Sequence, residues 1–65
     1  MFKMEFETSG TAFGSEYDPE YIQTVDKVKE INRIFQELSI KVAGGYTSGS
    51  IMDINGNKIG EWSLN

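Results

Sequence analysis

The side chains that most often carry enzyme chemistry are missing from this 65-residue chain, which has no histidine and no cysteine. Without histidine it lacks the commonest metal ligand and the commonest general base at neutral pH. Without cysteine it can form neither disulfides nor thiolate zinc sites. Nucleophiles are limited to hydroxyls, with no imidazole to activate them. Two carboxylate pairs, Glu5 with Glu7 and Glu16 with Asp18, are close enough in sequence to be weighed as acid and base. Nothing in the residues around them builds a pocket. The expectation is a protein that is not an enzyme, with no catalytic residue, metal or cofactor.

Two stretches look like ligand sites, and each has a plainer reading. Asp53-Ile54-Asn55-Gly56-Asn57 begins like a calcium loop, which needs glycine at its sixth position and glutamate at its twelfth. Those positions hold Lys58 and Leu64, and the flanks read as strands, so the segment reads as a turn. Gly44-Gly45-Tyr46-Thr47-Ser48-Gly49-Ser50 is rich in glycine and hydroxyls, like a phosphate cradle. It lacks the Gly-Lys-Ser/Thr ending of a P-loop. It also follows a helix, whose C-terminal dipole end is negative and repels phosphate. A nucleotide could be held there only if a partner chain supplied cations and Tyr46 or Trp62 stacked on the base. Arg33 and Lys41 would complete such a ligand set.

Ten acidic and six basic residues give a net charge of −4. That sign argues against non-specific binding to nucleic acid or anionic membrane. The charge is uneven. Glu5, Glu7, Glu16, Asp18, Glu20 and Asp26 fall in the first 26 residues against one lysine, whereas the second half is near neutral. Such an acidic patch could engage a basic protein surface by complementarity; an ordinary solvated edge is the plainer alternative. No apolar run approaches the ~20 residues of a membrane span. The opening MFKMEFET is not a signal-peptide pattern. The expected location is intracellular.

The elements that must position these residues follow from periodicity. Phe2, Met4 and Phe6 alternate with Lys3, Glu5 and Glu7, which predicts a half-buried strand over 2–7. Residues 8–17 form a loop in which Phe13 is either an anchor in the core edge or an exposed contact for a partner. Asp18-Pro19-Glu20 starts a helix, with Asp18 as cap, Pro19 at the first helical position and Tyr17 stapled to Ile22. The helix is predicted over 18–43. Val25, Val28, Ile31, Phe35, Leu38 and Val42 make one apolar stripe, extended by Ile22 and widened by Ile34. Glu30, Arg33, Glu37 and Lys41 fall on the opposite, solvated side, spaced for weak helical ion pairs. Ile40 sits well off the stripe, at a frayed end or on a contact surface. Gly44-Gly45 stops the helix.

Residues 49–64 read as a hairpin, with strands 50–54 and 58–64 around Asn55-Gly56. A two-residue turn pairs Asp53 with Lys58 and Ile51 with Gly60. A type I turn from Asp53, with Gly56 left-handed in a bulge, pairs Asp53 with Asn57 and Ile51 with Ile59. The second uses Asp53 and Gly56 better and is preferred. It places Ile51 and Ile59 on one face and Met52, Gly60, Trp62 and Leu64 on the other, so both faces are partly apolar. One helix covers only one face, and a helix of ~24 residues outruns strands of six or seven. A chain of this size is also marginal on its own. A homodimer or higher oligomer is expected.

The predicted architecture is α+β, in the order β-α-β-β, with a three-stranded, mainly antiparallel sheet packed on one long helix. The segment Thr47-Ser48-Gly49-Ser50-Ile51-Met52-Asp53-Ile54-Asn55-Gly56-Asn57-Lys58-Ile59-Gly60-Glu61-Trp62 resembles the ending of a group of very small phage and prophage proteins. Members carry an amphipathic first strand, an Ala-Phe segment like Ala12-Phe13, a helix, and a Gly-x-Ile-x-Asp-x-Asn-Gly-Asn run closed by Gly-x-Trp. The resemblance spans nearly the whole chain, and its motifs are structural. It implies a phage or prophage origin and action in the cytoplasm of a bacterial host. By analogy, it implies a binding protein that inhibits bacterial immunity, an anti-CRISPR or other anti-defence protein acting on a host defence protein. An oligomeric sponge for a nucleotide immune signal is the second possibility, and an accessory protein of the virion is the third.

Overall fold

The computed structural model describes residues 1–14 and 17–65. The alternating N-terminal residues form β1 (Phe2–Phe6), and a 3-10 turn follows over Thr11–Phe13. The periodic segment forms α1 (Glu20–Ala43), and the hairpin supplies β2 (Ser48–Met52) and β3 (Lys58–Leu64). Among the described residues the strands make one antiparallel sheet in the order β1-β3-β2. This is the expected α+β arrangement, with the sheet packed on a long helix. β1 and β2 run the same way with β3 between them, so α1 is the crossover that parallel strands require. The helix, about 36 Å long at 1.5 Å per residue, sets the 39 Å long axis of the molecule.

The helix ends differ from expectation at one terminus and agree at the other. Pro19, not Asp18, occupies the N-cap, and no side chain caps the first turn. The Asp18 contribution is its backbone carbonyl, which accepts from Gln23 Nε2 at 2.6 Å. Tyr17 stands 90 % exposed, so the expected staple with Ile22 does not bury its ring. At the other end Gly45 adopts φ +93°. Tyr46 N–H donates to the Lys41 carbonyl and Gly45 N–H to the Val42 carbonyl, both at 3.1 Å. That pair of bonds is a Schellman stop, which requires a left-handed residue after the cap.

The buried core holds Phe13, Ile34, Ile51 and Trp62, with Met4, Phe6, Ala12, Ile31, Leu38 and Ile59 packed around it. Phe13 is therefore an anchor, its ring stacked on Phe6 with centroids 6.4 Å apart. The helix is rotated relative to its predicted stripe. Glu30 and Ile34 are its buried residues, whereas Val25, Val28, Phe35 and Val42 remain exposed. The reason lies in the turn of the hairpin, which draws Glu30 inward as described below.

The hairpin combines the two registers open from sequence. Asp53 N–H donates to the Asn57 carbonyl at 2.9 Å, and Gly56 N–H to the Asp53 carbonyl at 3.0 Å. Gly56 adopts φ +84°, so the turn is the preferred one. Met52 pairs with Lys58, but a bulge then shifts the ladder and Ile51 pairs with Gly60. The preferred pairing of Ile51 with Ile59 is thereby corrected, with Ile59 as the extra residue. The shift also corrects the faces. Ile51 joins Gly60 and Trp62 on the helix side, together with Met4, which lies opposite Trp62. Lys3, Glu5, Ser48, Ser50, Glu61 and Ser63 alternate with these residues and face away. Apart from Met52, which follows Ile51 at the end of β2 and is 40 % exposed, the outer face is polar.

Candidate functional site

A connected set of polar bonds joins α1 to the hairpin turn. Asp53 begins the turn, and its Oδ1 accepts the N–H groups of Asn55 and Asn57, both at 2.9 Å. Asn57 Nδ2 reaches Oδ2 at 3.3 Å. These bonds, that from the Asn57 amide foremost, hold the Asp53 carboxyl below its ordinary pKa. Both oxygens are taken by donors, which accounts for the Asp-x-Asn-Gly-Asn motif as turn chemistry. The next amide, Ile54 N–H, donates to Glu30 Oε2 at 2.9 Å. Glu30 Oε1 accepts from Arg33 Nε. Arg33 Nη2 donates to the Met52 carbonyl at 2.9 Å, and Nη1 lies 3.1 Å from Glu37. The guanidinium is held more strongly protonated than usual, chiefly by its bond to Glu30.

This clamp is structural. The Glu30 side chain is 3 % exposed and its charge is met by Arg33, so desolvation is offset by two strong hydrogen bonds. Sequence periodicity placed Glu30 and Arg33 on a solvated face. Arg33, expected as a ligand or oligomer contact, is committed within the chain. Trp62, expected at the same surface, is 4 % exposed. Its indole lies across Gly49, where a Cβ would come within 2.9 Å of Nε1. Phe13 is equally withdrawn at 2 %. Phe13 thus takes the anchor reading, whereas the burial of Trp62 follows from the bulge that turns its face toward α1.

The remaining residues of that expected surface stay outside. Ile40, Lys41 and Tyr46 are exposed and close to one another in the chain around the helix stop. Tyr46 bonds back to the Lys41 carbonyl through its own amide, so the backbone there is fixed while the side chains face solvent.

The predicted acidic patch is divided. Glu5 lies on the outer face of the sheet and Glu7 just beyond the end of β1. Glu20 is exposed in the first turn of α1 and Asp18 is half-buried before it. Asp26 is half-buried on α1 and borders a depression with Ala12, Lys29, Glu30, Arg33 and Ile54. Glu16 lies outside the described residues. The sheet instead gathers a different group. Glu61 is directly opposite Glu5 across β1 and β3, and Lys3, Glu5, Glu7 and Glu61 border one shallow depression. Lys58 reaches Glu61 at 2.9 Å from the side of the turn. Glu61 could have been found from sequence only with the correct register, since opposite pairing decides which carboxylates share a face.

The face can attract cations or basic side chains by charge. Among the described residues there is no group of three or more candidate metal ligands. Among those residues no helix is long and apolar enough to cross a membrane. No protein-family model, curated protein or solved structure matches the chain.

Proposed function

We propose that the protein is a non-enzymatic, phage- or prophage-encoded inhibitor of bacterial immunity that binds a basic surface of a host defence protein. The observation that carries this reading is the exposed group Glu5, Glu7 and Glu61 on the polar face of the sheet, set beside Lys3 of β1 and Lys58, which meets Glu61 at 2.9 Å. Like charges placed opposite one another across strands cost stability. Glu5 and Glu61 are such a pair; Lys58 already meets Glu61, and a basic partner would offset the charge that remains on Glu5 and Glu7. Electrostatic complementarity of this kind speeds and orients docking. The phage-like pattern of the chain and its lack of histidine and cysteine agree with action by binding.

The nucleotide-sponge reading is weaker, because Trp62 is buried and Arg33 is held by Glu30, Glu37 and the Met52 carbonyl. Only Lys41 and Tyr46 of its four ligands remain accessible. The test is affinity capture from a bacterial lysate with the wild-type chain and with E7K/E61K. The reading expects a defence protein whose retention falls with added salt and is lost in the variant. Capture of nothing but the chain itself overturns it. A nucleotide that raises the melting temperature by mass action would favour the sponge instead.

A further inference from the structure

β1 is an edge strand whose free side is complementary to itself. Asn65 N–H donates to the Met1 carbonyl and Glu7 N–H to the Ile59 carbonyl. Bonded residues alternate in an antiparallel ladder. Lys3 and Glu5 therefore complete the bonding to β3, and the N–H and C=O groups of Phe2, Met4 and Phe6 point to the open edge. Opposed residues in an antiparallel pair share a face, and a twofold axis that bonds more than one of these three residues passes through Lys3, Met4 or Glu5. An axis at Lys3 sets lysine against lysine, and one at Glu5 sets glutamate against glutamate. An axis at Met4 sets Lys3 against the partner's Glu5 twice over and Phe2 against the partner's Phe6. It also bonds all six free backbone groups of each strand.

Two further observations favour that pairing. Glu5 already faces Glu61 within the chain, and the partner's Lys3 would lie on its other side and offset the repulsion. Beside the same edge an open groove of about 560 Å³ is lined by Phe2, Met4, Phe35, Leu38 and Val42. Tyr21, Val28, Phe35 and Val42 are exposed at seven-residue intervals, along one line of α1. The core within the chain has only four buried hydrophobic side chains among the described residues, a deficit that small domains commonly meet by association.

We propose that this edge and groove form an isologous dimer interface, with β1 pairing antiparallel to β1 of a second copy about a twofold axis at Met4. The product is a six-stranded sheet with both helices on one face and the apolar lines of α1 packed on each other. The two acidic faces become continuous. This inference does not depend on the proposed host target, and its variants, at Lys3 and Glu5, are separate from those at Glu7 and Glu61.

Light scattering on the wild-type chain is expected to give about twice the 7.3 kDa chain mass. K3E and E5K each replace two opposite-charge pairs with like-charge pairs, and should weaken dimerisation about tenfold or more. K3E/E5K restores the pairs in reversed order and should dimerise again. Mixing the two single variants should give a heterodimer, since each glutamate then faces a lysine. Lys3 and Glu5 are exposed, and far-UV circular dichroism checks that each variant folds. Independently of any variant, the amides of Phe2, Met4 and Phe6 should be protected from hydrogen exchange in concentrated wild type and lose protection on dilution. A wild-type monomer, a dimer indifferent to both single reversals, or edge amides that exchange freely in the dimer would each overturn the proposal.

Discussion

Replacing Glu30 with alanine isolates the clamp between α1 and the hairpin turn. The substitution removes the acceptor for Ile54 N–H and the partner of Arg33 Nε. Breaking a buried ion pair from one side typically costs ~3–5 kcal/mol. Here the figure is lower, because the Arg33 side chain is 27 % exposed and keeps Glu37 and the Met52 carbonyl. Hydrogen bonds to charged groups are worth ~1.5–3 kcal/mol each. An orphaned Ile54 amide near the rim regains some water, so the expected loss is ~2–3 kcal/mol. At ~0.05–0.15 kcal/mol per residue the whole chain holds ~3–10 kcal/mol, so Glu30→Ala should bring it near the limit of folding. The corresponding fall in Tm is ~10–20 °C for a domain of this size. Urea and thermal unfolding followed by circular dichroism measure both. Glu30→Gln keeps an acceptor oxygen and should lose less than Glu30→Ala. The cycle of Glu30→Ala with Arg33→Ala should show coupling of ~1 kcal/mol or more. A Glu30→Ala chain within ~0.5 kcal/mol of wild type would mean that the clamp contributes no more than an ordinary surface residue does.

Three other outcomes follow from the same geometry. Asp53 has its folded pKa depressed below the unfolded value, so its contribution is full above about pH 4 and is lost as pH falls through the folded value. Acid titration of Asp53→Asn should lack that component of the decline. Gly60→Ala would drive a Cβ into the backbone of Glu5 and Phe6; it should separate β1 from β3 and cost more than ~2 kcal/mol in urea unfolding. Trp62, the only tryptophan, is 4 % exposed, so its fluorescence should be blue-shifted and poorly quenched by acrylamide until the chain unfolds.

The fold was legible where a single period governed a segment. Phe2, Met4 and Phe6 marked β1, and Gly44-Gly45 marked the end of α1. Asp53 and Gly56 marked the turn, because the Asp53 carboxylate and the Gly56 φ angle are satisfied locally. The bulge was not legible. It depends on β1 and β2 both fitting β3, and two turn registers were compatible with the hairpin residues alone. That single shift moved Ile51 to the Trp62 face and left the outer face polar. The burial of Glu30 was hidden for a similar reason. Hydrophobic periodicity assumes that apolar residues face the sheet, yet Ile54 N–H needs an acceptor and the rim of α1 supplies a carboxylate. Phe35 and Val42 belong to a true apolar stripe, but one that the chain does not bury by itself. The acidic group was half legible: Glu5 and Glu7 came from the strand pattern, whereas Glu61 needed the sheet order β1-β3-β2.

The reading of the outer acidic face as a binding surface makes a direct demand on biology. Phage plating efficiency can be measured on a bacterial host that carries an active defence system and expresses the wild-type chain or E7K/E61K. The wild-type chain should restore plating on at least one such host, and the folded variant should fail to do so. Restoration by the variant to the wild-type level would contradict the role given to Glu7 and Glu61, and no restoration across hosts with distinct defences would contradict the proposed function itself.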